Sequence, residues 1–240
     1  MEKIKIYENK YEVTISDIGS NNEMKLSSFL KYMQEVGAIH SGILGYGINN
    51  IKTTRKAWVI LVWKVNVIRR PIWNEKIIIK TWNSKTEKMY YYRNFEIIDE
   101  KGEIICIAES QWIMMDVDTK KIQRITDDYL NKIIILESKV SISKINTKLT
   151  DKEKENIIHE FIVARRDVDT NNHMNNVIYL DMALEGLEEK RVEDIKSFEI
   201  HYKLESKINE KIICTKVEDE NTIYLLDENK EKIHAIVKFK

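Results

Sequence analysis

The sequence predicts an α+β protein in which one unit, a helix packed against an antiparallel sheet, is used twice. Three observations carry that expectation. The chain reads strand, helix, four-strand meander, and after a polar stretch the same order begins again. Asn74-Glu75-Lys76-Ile77-Ile78 returns as Asn209-Glu210-Lys211-Ile212-Ile213, displaced by 135 positions. Tyr32 answers Tyr179 at a displacement of 147, and Asp99-Glu100 answers Asp227-Glu228 at 128. Displacements that fall along the chain fit a duplication whose second copy has shorter loops.

The elements follow in order. Residues 4–15 alternate as a strand does. Leu26, Phe29, Leu30, Met33 and Gly37 fall at helical spacing, with Ser27 or Ser28 placed to cap the start and Gly45 and Gly47 to end it. Four β-rich segments follow, at 57–68, 76–82, 89–99 and 103–116, and Asp99-Glu100-Lys101-Gly102 reads as the hairpin turn joining the last two. Residues 126–136 suggest a short helix. Residues 137–155, rich in Lys, Ser, Thr, Asp and Glu, read as a linker between a domain at 1–136 and another at 156–240. In the second domain a strand at 157–164 leads to a helix whose Val177, Leu180, Leu184 and Leu187 share one face, and strands at 196–204, 211–217, 222–227 and 232–240 complete it.

Composition narrows the function. Lys and Arg total 39 and Asp and Glu total 39, so no net field recruits nucleic acid or an anionic membrane. With 43% hydrophobic residues, one proline and seven glycines, the chain has the material for a packed core. Cys106 and Cys214 stand alone in apolar runs, without metal-ligand spacing, and read as buried thiols in a reducing compartment. The N-terminus lacks an apolar signal segment, and no window approaches the ~20 apolar residues of a membrane span. The expectation is a soluble cytoplasmic protein without a metal or cofactor.

The stretch with the most chemistry is Arg165-Arg166-Asp167-Val168-Asp169-Thr170-Asn171-Asn172-His173-Met174-Asn175-Asn176, which runs straight into the second helix. Asp169, Asn171 and His173 recur at every second position, so an extended segment would present a carboxylate, an amide and an imidazole on one side. They would lie before a helix N-terminus, where free N–H groups favour developing negative charge. Asn175 and Asn176 read as helix caps, and Asp167 as a partner of Arg165 or of a backbone N–H. At a displacement of 147 the three residues fall opposite Asn22, Met24 and Leu26, so the first copy is expected to lack the set. Chemistry then belongs to the second domain, and a structural or substrate-holding role to the first.

Asp-Val-Asp-Thr-Asn-Asn-His-Met-Asn-Asn-Val-Ile-Tyr-Leu at 167–180 closely resembles the active-site segment of the acyl-ACP thioesterases of plants and bacteria, which are double hotdog proteins. The likeness extends to residues 28–47, to Trp58–Trp63, to Arg70-Pro71-Ile72-Trp73-Asn74-Glu75 and to Tyr92-Arg93-Asn94-Phe95. It implies two tandem hotdog domains, each a long helix wrapped by an antiparallel sheet, and hydrolysis of fatty acyl groups carried on acyl carrier protein. It also implies a site of Asp169, Asn171, His173 and Glu205, the last falling opposite Arg70 in the first copy. The Cys that follows the Glu in plant members is Ser206 here, which favours attack by water over a covalent cysteine route.

On that reading Glu205, helped by Asp169 and Asn171, positions and deprotonates water. His173 and the backbone N–H groups of Met174 to Asn176 stabilise the oxyanion. The thiol leaving group ionises near pH ~8.5 and needs little protonation. Strand alternation alone places Glu205 with Glu199, His201 and Lys203, away from the apolar face, so it reaches the site only where a bulge or strand end re-aims it. Basic residues at 64–70 and 120–124 offer either a face for an acidic carrier protein or a solvated surface. Acyl-CoA hydrolysis and a non-catalytic acyl-binding regulator remain as alternatives, and chain length and oligomeric state, a homodimer included, stay open.

Overall fold

The computed structural model describes residues 5–138, 142, 149–217 and 221–240. The chain forms two compact units, Met1–Ile142 and Ser143–Lys240, a division that falls within the stretch read as a linker. Residues 139–141 and 143–148 of that stretch lie outside the described residues.

In the first unit β1 (Tyr7–Glu12) leads through a 3₁₀ turn (Ile15–Asp17) to α1 (Leu26–Ile43) and a short α2 (Ile51–Thr54). Then come β2 (Lys56–Val67), β3 (Lys76–Glu87), β4 (Tyr90–Asp99), β5 (Ile104–Asp116), β6 (Ile122–Gln123) and α3 (Asp127–Leu130). The strands pair antiparallel in the order β1-β3-β4-β5-β2, with β6 on β5. Phe29, Leu30, Met33, Val36, Gly37 and His40 are the buried face of α1, set at helical spacing. Each of its large apolar side chains contributes roughly 1.5–3 kcal/mol on leaving water.

The helix cap differs from expectation. Lys25 is the N-cap, and Ser27 and Ser28 lie buried inside the first turn, Ser28 Oγ donating to the Asp17 carbonyl at 3.0 Å. A small hydroxyl suits Ser28 because that carbonyl, eleven residues back, approaches there. The expected helix at 126–136 shrinks to α3, capped by Thr126, whose Oγ1 accepts from Tyr129 N.

The second unit holds α4 (Lys152–Glu155), β7 (Ile157–Ile162), a 3₁₀ turn (Arg165–Asp167), α5 (Asn176–Glu185), α6 (Glu189–Asp194), β8 (Ser197–Tyr202), β9 (Lys211–Val217), β10 (Thr222–Asp227) and β11 (Ile233–Phe239). Its order, β7-β9-β10-β11-β8, repeats that of the first unit strand for strand. Helix α5 is shorter than its counterpart and buries Val177, Tyr179, Leu180 and Ala183, while Leu187 falls beyond its end. No periodicity announced α6.

The repeated pentapeptide has a local cause. Asn74 and Asn209 both take left-handed backbone, φ 66° and 68°, which asparagine tolerates better than most residues. The glutamate after each closes the same turn: Glu75 accepts from Ile72 N at 3.1 Å and Glu210 from Lys207 N at 2.9 Å.

Candidate active site

The polar stretch is not extended. After β7 the 3₁₀ turn is closed by Asp167, whose Oδ2 accepts from Ala164 N at 2.8 Å, with Arg166 rather than Arg165 nearby at 3.7 Å. A tight turn follows, in which Asp169 N donates to His173 O at 2.8 Å and Asn172 N to Asp169 O at 3.1 Å. Asn172 supplies the required left-handed residue at φ 61°. The Asp169 carboxylate faces back into this turn: Oδ1 accepts from Asn171 N at 2.8 Å and His173 N at 3.3 Å, and Oδ2 from Asn171 Nδ2 at 3.4 Å. Turn closure, rather than strand alternation, therefore brings Asp169, Asn171 and His173 together.

Asn175 is the N-cap of α5, its side chain accepting from Val177 N at 3.0 Å, as expected. Met174 N donates to Ser206 O and Asn175 N to Asp167 O, so neither N–H is open to a substrate oxygen. This corrects the oxyanion role expected of the Met174 and Asn175 N–H groups.

Glu205 meets the turn because β8 ends at Tyr202. Residues 203 and 204 still donate to the His234 carbonyl, and the chain then crosses to pair with the turn through the bridge His173↔Lys207. That crossing swings Glu205 out of the alternation of β8, and its Oε2 lies 3.1 Å from His173 Nε2. Glu205 is 54% exposed and His173 25%, so the pair is open to solvent on one side.

Three buried residues that sequence reasoning did not connect hold this crossing in place. Tyr179 Oη donates to Ser206 Oγ at 2.9 Å and accepts from Ser206 N at 3.0 Å. Ser206 Oγ also lies 2.7 Å from His234 Nδ1. Ser206, at the position of the plant cysteine, is fully buried and occupied on two sides, so it is a brace rather than an exposed nucleophile. Burial holds the His234 pKa below its ordinary value, which favours the neutral ring. The spacing of Tyr179 four residues after the Asn175 cap was the available signal, since such a side chain sits above the helix entry.

The first unit contains the same turn. Gly19 N donates to Glu23 O, Asn22 is left-handed at φ 62°, and Met24 N donates to Pro71 O. The true displacement here is therefore 150, matching the bridges Ile18↔Met24 and Val168↔Met174. The Tyr32–Tyr179 match misled by three positions, because Tyr32 is anchored elsewhere, donating to Asp17 Oδ2 at 2.6 Å. Gly19, Asn21, Glu23 and Arg70 stand where the second unit has Asp169, Asn171, His173 and Glu205. The amide survives, while the turn carboxylate is lost, the imidazole becomes a carboxylate and the carboxylate a guanidinium.

Other expectations resolve simply. Cys106 and Cys214 are buried free thiols, and burial pushes Cys214 up to about 12. His201 pairs with Glu199 at 2.7 Å, both buried. Within residues 64–70, considered as a basic surface for a carrier, Lys64 and Arg70 are buried, and the exposed Arg69 is paired with Glu75 and Asp99. Among the described residues no group of three or more His, Cys, Asp or Glu is placed to hold a metal ion. No described helix is long and apolar enough to cross a membrane.

Residues 4–133 match the profile of the acyl-ACP thioesterase N-terminal domain, and residues 150–239 that of the C-terminal domain. The chain belongs to the acyl-ACP thioesterase family. It is 28% identical over 205 residues to the chloroplastic oleoyl-acyl carrier protein thioesterase 1 of Arabidopsis thaliana, covering 78% of this chain and 56% of that one. It is 24% identical over 218 residues to the chloroplastic palmitoyl-acyl carrier protein thioesterase of Cuphea hookeriana, covering 83% and 52%. The chain thus spans little more than half the length of these plant relatives. Among solved structures, an acyl-ACP thioesterase from Bacteroides thetaiotaomicron superposes with a TM-score of 0.86 at 19% identity, covering 98% of this chain and 96% of that one. The 12:0-ACP thioesterase from Umbellularia californica gives 0.82 at 21%, covering 98% and 96%. These likenesses establish the double hotdog fold of this acyl-ACP thioesterase family member.

Proposed function

We propose that this family member hydrolyses the thioester of a fatty acyl group carried on acyl carrier protein, releasing the fatty acid and holo-ACP. The contact between Glu205 Oε2 and His173 Nε2 at 3.1 Å, open to solvent on one side, carries the proposal. Of the two carboxylates, Asp169 is engaged by two backbone N–H groups, which leaves Glu205 as the one free to take a proton from water. The hydroxide so formed adds to the thioester carbon. On this reading negative charge gathers on the carbonyl oxygen, to which the Asn171 amide donates together with the His173 N–H, released by Glu205 as that carboxylate takes the proton from water. Collapse breaks the C–S bond, and the proton taken by Glu205 returns to the departing thiolate.

On this reading the first unit, near residues 1–136, holds the acyl chain, residues 137–155 link the units, and the second unit at 156–240 carries the reaction. The partner is an acyl carrier protein bearing an acyl-phosphopantetheine. Turnover of one acyl chain on ACP and on CoA tests it: the proposal expects the ACP thioester to be the better substrate by kcat/KM. Equal or faster hydrolysis of the CoA thioester contradicts the carrier assignment.

A further inference from the structure

The interior of the first unit carries polar chemistry that the hydrolytic site does not use. Asn83 on β3, Arg93 on β4, Ser110 on β5 and Trp63 on β2 stand in register across four neighbouring strands, and all are buried. Helix α1 passes close above this rung, since a Cβ on Gly37 would lie 3.5 Å from Arg93 Cδ.

Arg93 Nη1 lies 2.7 Å from His40 Nδ1 and donates to Thr81 Oγ1 at 3.3 Å. Its Nη2 donates to Ser41 Oγ and Tyr91 Oη, each at 3.3 Å. All four acceptors are neutral. A guanidinium only donates, so His40 accepts through Nδ1 and keeps its proton on Nε2. Burial, with the Arg93 charge, lowers the His40 pKa to about 3 and keeps the ring neutral.

That Nε2–H has no acceptor among the described residues. The same holds for Trp63 Nε1–H and for both polar atoms of the Asn83 amide. Native interiors leave few such groups unpaired, because a buried donor without an acceptor is destabilising. Here four atoms on three side chains lie along one rung and beside its guanidinium. The set is rich in donors and adjoins a positive charge, so it calls for an oxygen acceptor. The Asn83 Oδ1 adds one acceptor, which a hydroxyl satisfies and a carbonyl or a carboxylate does not.

We propose that this rung is a subsite for a hydroxyl group borne along the acyl chain, so that the protein favours hydroxylated over unsubstituted acyl substrates. The inference rests on the reading that the first unit holds the acyl chain. Two measurements test it. Titration of the protein with free fatty acids of one length, unsubstituted or hydroxylated at successive positions, reports binding without hydrolysis. The kcat/KM ratio for the corresponding acyl-ACPs reports selectivity.

At least one hydroxyl position is expected to gain about tenfold over the unsubstituted chain, a modest share of what a site built around a hydroxyl can discriminate. Asn83→Leu, which exchanges an unpaired amide for an apolar side chain of similar size, is expected to remove that gain and leave the unsubstituted chain within about threefold. Trp63→Phe, which keeps the ring and removes the N–H, serves as the second variant and is expected to reduce the gain. No preference at any hydroxyl position, or an equal loss for both chain types in Asn83→Leu, overturns the proposal. A hydroxyl preference in binding without turnover of any acyl-ACP sustains the subsite and defeats the hydrolase reading instead.

Discussion

His173 Nε2 and Glu205 Oε2 meet at 3.1 Å although one precedes α5 and the other follows β8. Their meeting depends on two backbone links, the bridge His173↔Lys207 and the hydrogen bond from Met174 N to Ser206 O at 2.7 Å. His173 is partly exposed, so His173→Ala is expected to leave the thermal midpoint nearly unchanged while lowering kcat on acyl-ACP by about 10²-fold or more, in the range for a lost proton-transfer or oxyanion partner. Asp169→Ala differs in kind, because it strips the acceptor from two backbone N–H groups of the turn. It should cost about 1–2 kcal/mol of stability as well as activity, measured by denaturant unfolding alongside kinetics.

Ser206 separates a brace from a nucleophile. Ser206→Ala removes the group between Tyr179 Oη and His234 Nδ1 and should cost about 1–3 kcal/mol in unfolding free energy. Its kcat should fall by no more than about tenfold, since the variant disturbs the placing of Glu205 and not the reacting atoms. A loss as deep as that of a Glu205 variant, with stability intact, would assign Ser206 a direct part in the chemistry.

Acid should destabilise the first unit through His40. Its folded pKa of about 3 lies below the ordinary value of 6.5, because burial and Arg93 disfavour the charged ring. The unfolded chain therefore binds the extra proton first. Stability from this group is complete above pH 6.5 and is lost as pH falls, by about 1.4 kcal/mol per unit, down to the folded pKa. Denaturant unfolding between pH 6.5 and 4 should show a steeper decline for the parent than for His40→Asn.

The turn at Asn172 is a backbone requirement. Asn172→Gly should be tolerated, whereas Asn172→Val should cost about 1–2 kcal/mol for a left-handed β-branched residue. Asn22→Val is expected to cost a similar amount in the matching turn of the first unit while sparing the reacting residues.

The duplicated architecture was legible because the apolar spacing of α1 and the Asn-Glu-Lys strings at 74 and 209 encode the same local solutions twice. The membership of the site was legible from the polar run, but its geometry was not. Alternation proposed an extended presentation of Asp169, Asn171 and His173, and the left-handed Asn172 turned it into a loop. Glu205 was out of reach of strand periodicity, since its position depends on where β8 stops, and that is set by the Ser206 brace to residues 27 and 28 positions away. The polar rung under α1 was equally hidden: Asn83, Arg93, Ser110 and Trp63 are neighbours only through strand register.

The role of Glu205 as the base is tested most directly by the rate of fatty acid release from acyl-ACP by the parent and by Glu205→Gln, which keeps the side chain's size and hydrogen-bonding reach but removes the base. Turnover by the parent is expected, with a fall of about 10²–10⁴-fold in kcat for the variant and unfolding stability unchanged. Hydrolysis by Glu205→Gln at the parental rate would contradict that role.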